Sequence, residues 1–365
     1  NKRIKALDES LRDGGMDEVG IFINKAHAPD AIGEPLANLC TEEDIRNILL
    51  VAKDDKIPVS FLRSFLNYYV DIIGAKSFIG IIDSFKKEHI DFIHLPLSLL
   101  GANIEVWGYI ENLSQEVQKK YWEKIIIVGW QDKSEDDIKR LIKKLNQVDR
   151  YNDSLDIIHI LINKNISISQ LAIDTLMLII RNPIVNITYN VSYQITEIIE
   201  YLDKQEGLND EHIIQIEFYF YTLLNNNSLV SDLKIIKALL SDPRFMIEIV
   251  KLTFAYTKKG ADNTDINTKN PYNSEISFLG FSILDNLKGT PYVNVDNTID
   301  EDSLNIYIRN LRSLAIQFNL LKHVDRIIGE LLANYPETES YPSTIICKII
   351  EKINSKELNR GFSIR

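Results

Sequence analysis

The chain has 365 residues, of which 15 are Gly and 10 are Pro, against about 26 and 18 at average usage. So few breakers exclude a many-stranded sandwich or barrel, which needs a turn about every 8–12 residues. Hydrophobic residues at 45% and charged residues at 25% exclude wholesale disorder. The net charge of −11 argues against adhesion to nucleic acid or anionic lipid as a main role.

In chain order, the first residues, Asn1-Lys2-Arg3, open no apolar signal segment. A helix is expected over 41–53, with Thr41 as N-cap and Glu42, Glu43 and Asp44 in its first turn. A second is expected over 58–73, from Pro58, with Phe61, Phe65, Tyr68, Tyr69 and Ile72 on one side. A third, near 76–87, carries Phe78, Ile81, Ile82 and Phe85. Ser134 precedes three acids and the stripe Ile138, Leu141, Ile142 and Leu145; Asp153 and Ser154 open the next helix, and Ser167 and Ser169 the one that stops at Asn182-Pro183. Further helices are expected at 191–202, from Asn209 to Leu224, from Ser231 or Asp232, from Asp242-Pro243 to Tyr256, and over 303–319, 321–334 and 341–354.

Helix pairs thus begin near 134, 168, 209 and 243, a spacing of about 34–41 residues, as in stacked helical hairpins. The fold expected is all-α: an α-solenoid-like stack of TPR- or HEAT-like hairpins, with an irregular helical bundle as the alternative. The chain holds 57 Ile. Because Ile is β-branched, propensity alone would misread it as β-rich, and periodicity takes precedence. Three parts are expected: a helical array over 1–256, a polar loop region with a short helix over 257–302, and a C-terminal helical segment over 303–365 packed on the array. The apolar runs at 157–162 and 176–180 are far below the ~18 residues of a membrane span.

Motifs for phosphate cradling, dinucleotide binding, zinc proteolysis and serine hydrolysis are missing. Cys40 and Cys347 form neither a disulfide framework nor a zinc pattern. His27, His89, His94, His159, His212 and His323 lack metal-ligand spacing and read as core or helix-end residues. No catalytic, cofactor or metal residue is expected. The Asn-x-Ser/Thr triplets at Asn186 and Asn190 read as inert without a secretory signal. Trp107, Tyr109, Tyr121, Trp122 and Trp130 crowd into 24 residues. Such rings pack in a core or serve as anchors for a protein partner, and little basic interleaving sets them apart from a base-stacking platform.

Residues 95–122, running from Leu95-Pro96 through Gly101-Ala102-Asn103 and Trp107-Gly108-Tyr109 to Tyr121-Trp122, resemble a helical-repeat region of very large bacterial proteins. Residues 327–362, with Ala333-Asn334-Tyr335-Pro336, Tyr341-Pro342 and Gly361-Phe362, share that resemblance. Some such proteins resemble STAND-type NTPases whose repeats act as sensors, several of them in antiphage defence. What is expected is an interaction module of a bacterial protein that binds a protein, a peptide or neighbouring domains of its own chain. The two free thiols fit a reducing, cytoplasmic compartment, and the acidic charge and short apolar runs leave no nucleic acid and no membrane as expected partners. The ATPase motifs are absent, so no catalytic residue carries over. The lack of a starting Met and the abrupt end at Arg365 are expected of a piece of a longer protein. The alternatives are an enzyme with an unrecognised helical site and a purely structural spacer.

Overall fold

A computed structural model describes residues 20–182, 188–225, 233–254, 274–287, 292 and 300–333. Among these the regular structure is helical, without a strand, so the all-α expectation holds despite the Ile excess. The chain divides into two compact units, residues 1–157 and 158–365.

After helical residues 20–25 and a 3-10 turn at Pro29–Ile32, the first unit holds α1 (Gly33–Ala37), α2 (Glu42–Lys53), α3 (Val59–Ile73), α4 (Ala75–His89), α5 (His94–Ser98), α6 (Ile104–Ile110), α7 (Gln115–Lys124) and α8 (Glu135–Gln147). α9 (Tyr151–Asn163) contains the division. The second unit continues with α10 (Ser169–Arg181), α11 (Tyr189–Asp203), α12 (Asp210–Leu224), α13 (Lys234–Ser241), α14 (Pro243–Phe254), α15 (Ser274–Asp285), α16 (Glu301–Gln317) and α17 (Leu321–Ala333). The division falls inside the array read over 1–256. The helix expected at 341–354, the openers Ser231 and Asp232, and nearly all of the polar stretches 257–274 and 289–302 lie outside the described residues.

The helix starts follow local chemistry. Thr41 and Asp44 form a reciprocal capping box on α2, and Ser134 caps α8 by accepting from Asp137 N–H. Asn209 accepts from Glu211 N–H at 2.9 Å to open α12. Two expectations are corrected. α10 begins behind Ile168 with no side-chain cap, so neither Ser167 nor Ser169 fills that role. On α3, Tyr68 and Ile72 face solvent, and the buried stripe runs through Phe61, Leu62, Phe65, Leu66 and Tyr69. A 3.6-residue period admits both choices of neighbour, and the packing of α1 and α4 on α3 selects one.

The helix ends account for the scarcity of glycine. Asp55, Asp149, Asn165 and Asn319 adopt left-handed φ values of 55–61° just after α2, α8, α9 and α16. In each case the next residue's N–H reaches back to the helix: Lys56 to Val51, Arg150 to Leu145, Ile166 to Leu161, and Leu320 to Ala315, at 2.8–3.2 Å. This is the closure that glycine usually permits. Asn and Asp tolerate the left-handed region better than other L-residues, so the chain stops these helices without Gly. Gly74, with φ of +83°, is an exception: it turns the chain through 117° between α3 and α4.

In the first unit consecutive helices pair and alternate helices stack. α3 packs on α1, α5 on α3 and α7 on α5, while α4 packs on α2 and α6 on α4. α1 approaches α3 so closely that a Cβ on Gly33 would lie 2.5–2.8 Å from Ser64 and the Phe65 amide nitrogen. In the second unit two helices are hubs: α12 touches α10, α11, α13 and α15, and α14 touches α13, α15, α16 and α17. That matches an α12 apolar around most of its circumference, with Ile213, Ile216, Phe218, Phe220, Tyr221 and Leu224 buried.

Two substitutions separate these causes. Gly33→Ala raises intrinsic helix propensity, yet a urea melt should show a loss of about 1–3 kcal/mol from overpacking against α3. At Asn165, Gly should leave stability within about 1 kcal/mol of wild type, whereas Val should lower it by about 1–2 kcal/mol through the left-handed backbone.

Candidate functional site

The crowded aromatic segment is built by two short helices and an extended return. Asn103 opens α6, its side-chain oxygen accepting from Glu105 N–H at 3.0 Å and Val106 N–H at 3.2 Å. α7 follows behind Ser114. The chain then runs back beside α5: Ile126 N–H donates to Ser98 O, and Ala102 N–H to Val128 O. This return carries Trp130 inward.

Trp107 and Tyr121 are 0% exposed, Trp122 2% and Trp130 3%. Trp107 and Trp122 meet at 5.6 Å between ring centroids, and Tyr121 stands edge-on to Trp122 at 5.1 Å. Burial raises the pKa of the Tyr121 hydroxyl, keeping it protonated. These four rings are core rather than anchors for a partner, which corrects the contact role considered for them. The reason is packing: α5, α6 and α8 close over α7, and the extended return beside α5 brings Trp130 into the same core.

Tyr109 differs. It is half-buried at the surface and its hydroxyl donates to Asp83 at 3.0 Å. Lys86 lies 5.8 Å from its ring centroid and 3.6 Å from Asp83. Burial and the Asp83 carboxylate raise its pKa. It belongs to a series of polar rungs between alternate helices. Lys53 meets His89 at 3.3 Å between α2 and α4, and Lys76 lies 3.7 Å from Glu105 between α4 and α6. Between α6 and α8, Arg140 pairs with both Glu111 oxygens at 2.6 and 3.0 Å, its guanidinium 5.7 Å from the Trp107 ring centroid. Charge order and spacing in the sequence did not reveal these rungs, since each joins residues 26–36 positions apart.

The histidines take structural places. His94 is buried, and burial together with Lys124 lowers its pKa. His323 stacks flat on Phe254 at 3.9 Å, and its pKa is lowered by burial and by Lys322 and Arg326. His159 stands edge-on to Tyr193 at 5.8 Å, while His27 and His212 are exposed. Among the described residues there is no group of three or more His, Cys, Asp or Glu side chains placed to hold a metal ion. Cys40 has its thiol pushed up to about 12, first by burial and then by Asp44, so it is not a thiolate at neutral pH.

Sequence reading missed Glu217 altogether. It sits on α12 with 0% exposure, and its two oxygens accept the first amides of α13, Lys234 N–H at 3.0 Å and Ile235 N–H at 2.5 Å. α13 has no cap of its own at Leu233, so a side chain 17 residues upstream supplies it. Asp203, at the end of α11, faces the same carboxyl, and burial and then Asp203 push Glu217 up to about 8.

No family model, curated protein or solved structure matches the chain.

The two kinds of aromatic residue are separable by experiment. Trp107→Ala should lower unfolding free energy by about 3–5 kcal/mol, as for a buried ring. Tyr109→Phe, which removes only the hydrogen bond to Asp83, should cost about 1 kcal/mol or less in the same urea titration.

Proposed function

We propose that the chain is a protein–protein interaction module, a helical-repeat scaffold or sensor segment of a larger cytoplasmic bacterial protein. The observation that carries this reading is the alternating packing of α1–α7, in which α2, α4 and α6 form one row. A row of stacked helices presents side chains from several elements to one extended ligand. Here the rungs across the row contribute a half-buried Tyr109, Lys86 and an Arg140 pinned by Glu111 and Trp107. Tyr and Arg are the residue types that anchor partners well, and Arg140 has little rotamer freedom left to lose.

The net charge of −11 favours a protein or peptide ligand, or a neighbouring domain, over nucleic acid. Among the described residues no single helix is long and apolar enough to cross a membrane. The resemblance of 95–122 and 327–362 to STAND-type sensor repeats extends the proposal to recognition of a foreign protein in antiphage defence. Catalysis has less support: Glu217 is closed to solvent and both its oxygens are held by backbone amides.

The test is affinity capture with cross-linking from the bacterial cells that make the protein, comparing wild type with the double variant Tyr109→Ala, Arg140→Glu. A specific protein partner recovered with wild type should fall about tenfold or more with the variant, at an unchanged circular-dichroism spectrum. Equal recovery by the two proteins would refute the assignment of this surface.

A further inference from the structure

The attachment of α13 to α12 depends on a carboxyl group in an unusual setting. Glu217 is completely buried, yet among the described residues no cation pairs with it. Its partners are two neutral amides, Lys234 N–H and Ile235 N–H. The charged groups around it come from three helices. α11 brings Asp203, and α12 brings Asp210. α13 brings Lys234 and Lys237, both acting on Asp203, with Lys234 Nζ bound to Asp210 at 2.6 Å. Among the described side chains, the two other helices packed on α12 bring only exposed charges: Asp174 and Arg181 from α10, with Asp174 bonded to Gln170, and Asp285 from α15, paired with Arg326.

A dry carboxylate facing a second carboxyl, with no counter-ion of its own, is costly. Retaining one proton removes that cost. A protonated Glu217 still accepts both amide hydrogen bonds, and its O–H is available to Asp203. We propose that Glu217 and Asp203 share a single proton that locks the start of α13 onto α12, so that α13 loosens as the solution turns alkaline. The hold is proton-linked because it is made from two acids and two amides rather than from an acid and a base.

The direction follows from linkage. When α13 opens, Glu217 meets water and returns toward its ordinary value of 4.5, from about 8 in the closed form. Below the lower value both forms keep the proton and the hold is at full strength. Between the two values only the closed form keeps it, so each pH unit favours opening about tenfold. Above the upper value the effect levels off.

Hydrogen exchange of the full chain, read by mass spectrometry over 234–241 and corrected for the intrinsic pH dependence of exchange, tests this. Protection of this segment should fall by about ten- to a hundredfold between pH 6.5 and 9, while that of α3 stays constant. Glu217→Gln keeps an acceptor for an α13 amide and donates to Asp203 without titrating, so its protection should be flat across that range. Should that variant fail to fold, Asp203→Asn provides the second arm: it removes the facing charge that helps Glu217 hold its proton, so the loss of protection should shrink or move to lower pH. Asp174→Asn, an exposed position on α10 bonded only to Gln170 among the described contacts, is the control and should keep the wild-type profile. Flat protection in the wild type, or a wild-type profile in both Glu217→Gln and Asp203→Asn, would overturn the proposal.

Discussion

Apart from α16, with 17 residues, every helix among the described residues has 15 or fewer, a length at which isolated helices are marginal in water. Each one therefore has to bury its apolar stripe against neighbours, and everything else in the structure accommodates that need. In the first unit the need is met by alternate stacking, so that a helix such as α4 is covered by α2, α3 and α6. In the second it is met by two hubs, α12 and α14, each touching four other helices. A hub must be apolar on more than one side, and α12 is, from Ile213 to Leu224.

Packing of this kind leaves two problems for polar groups. The first is at helix ends, where four carbonyls and four amides lack partners. The chain answers at four C-termini with Asp or Asn in left-handed geometry, and at the starts of α2, α6, α8, α11, α12 and α16 with a Thr, Ser, Asn or Asp side chain. α13 is different, because its first amides are met by Glu217 from the helix it packs on. The second problem is the side-chain hydroxyls and ring nitrogens that enter the core with large aromatics. Tyr307 resolves it by donating to Leu239 O at 2.6 Å, tying α16 to α13. A buried guanidinium raises the same demand, and Arg312, 4% exposed, meets it by pairing with Asp325 at 3.0 Å across α16 and α17.

Much of the secondary structure was legible because its signals are local. Thr41 with Asp44, Ser134 with Asp137, and Asn209 with Glu211 each lie within three residues of their partner. The stripe of α4, Phe78, Ile81, Ile82 and Phe85, is legible because Ile79 is the one large apolar residue of the helix that lies off it. α3 carries more large apolar residues than one face can bury, and periodicity alone places Tyr68 and Ile72 on the stripe where Leu62 and Leu66 are buried. The surface rungs were invisible for a related reason: Asp83 and Tyr109, or Glu111 and Arg140, become neighbours only when alternate helices stack.

The sequence by itself determined the helical class and most helix boundaries, since periodicity, caps and breakers act over a few residues and need no tertiary partner. It also determined that the helices would be short and closely linked. Only the tertiary structure decided that Trp107, Tyr121, Trp122 and Trp130 lie inside while Tyr109 reaches the surface, and that the units divide within α9. It likewise decided that a glutamate in the middle of an apolar helix serves as another helix's cap. Those outcomes depend on which faces meet and how much water they exclude, and both are properties of packed helices rather than of any one segment.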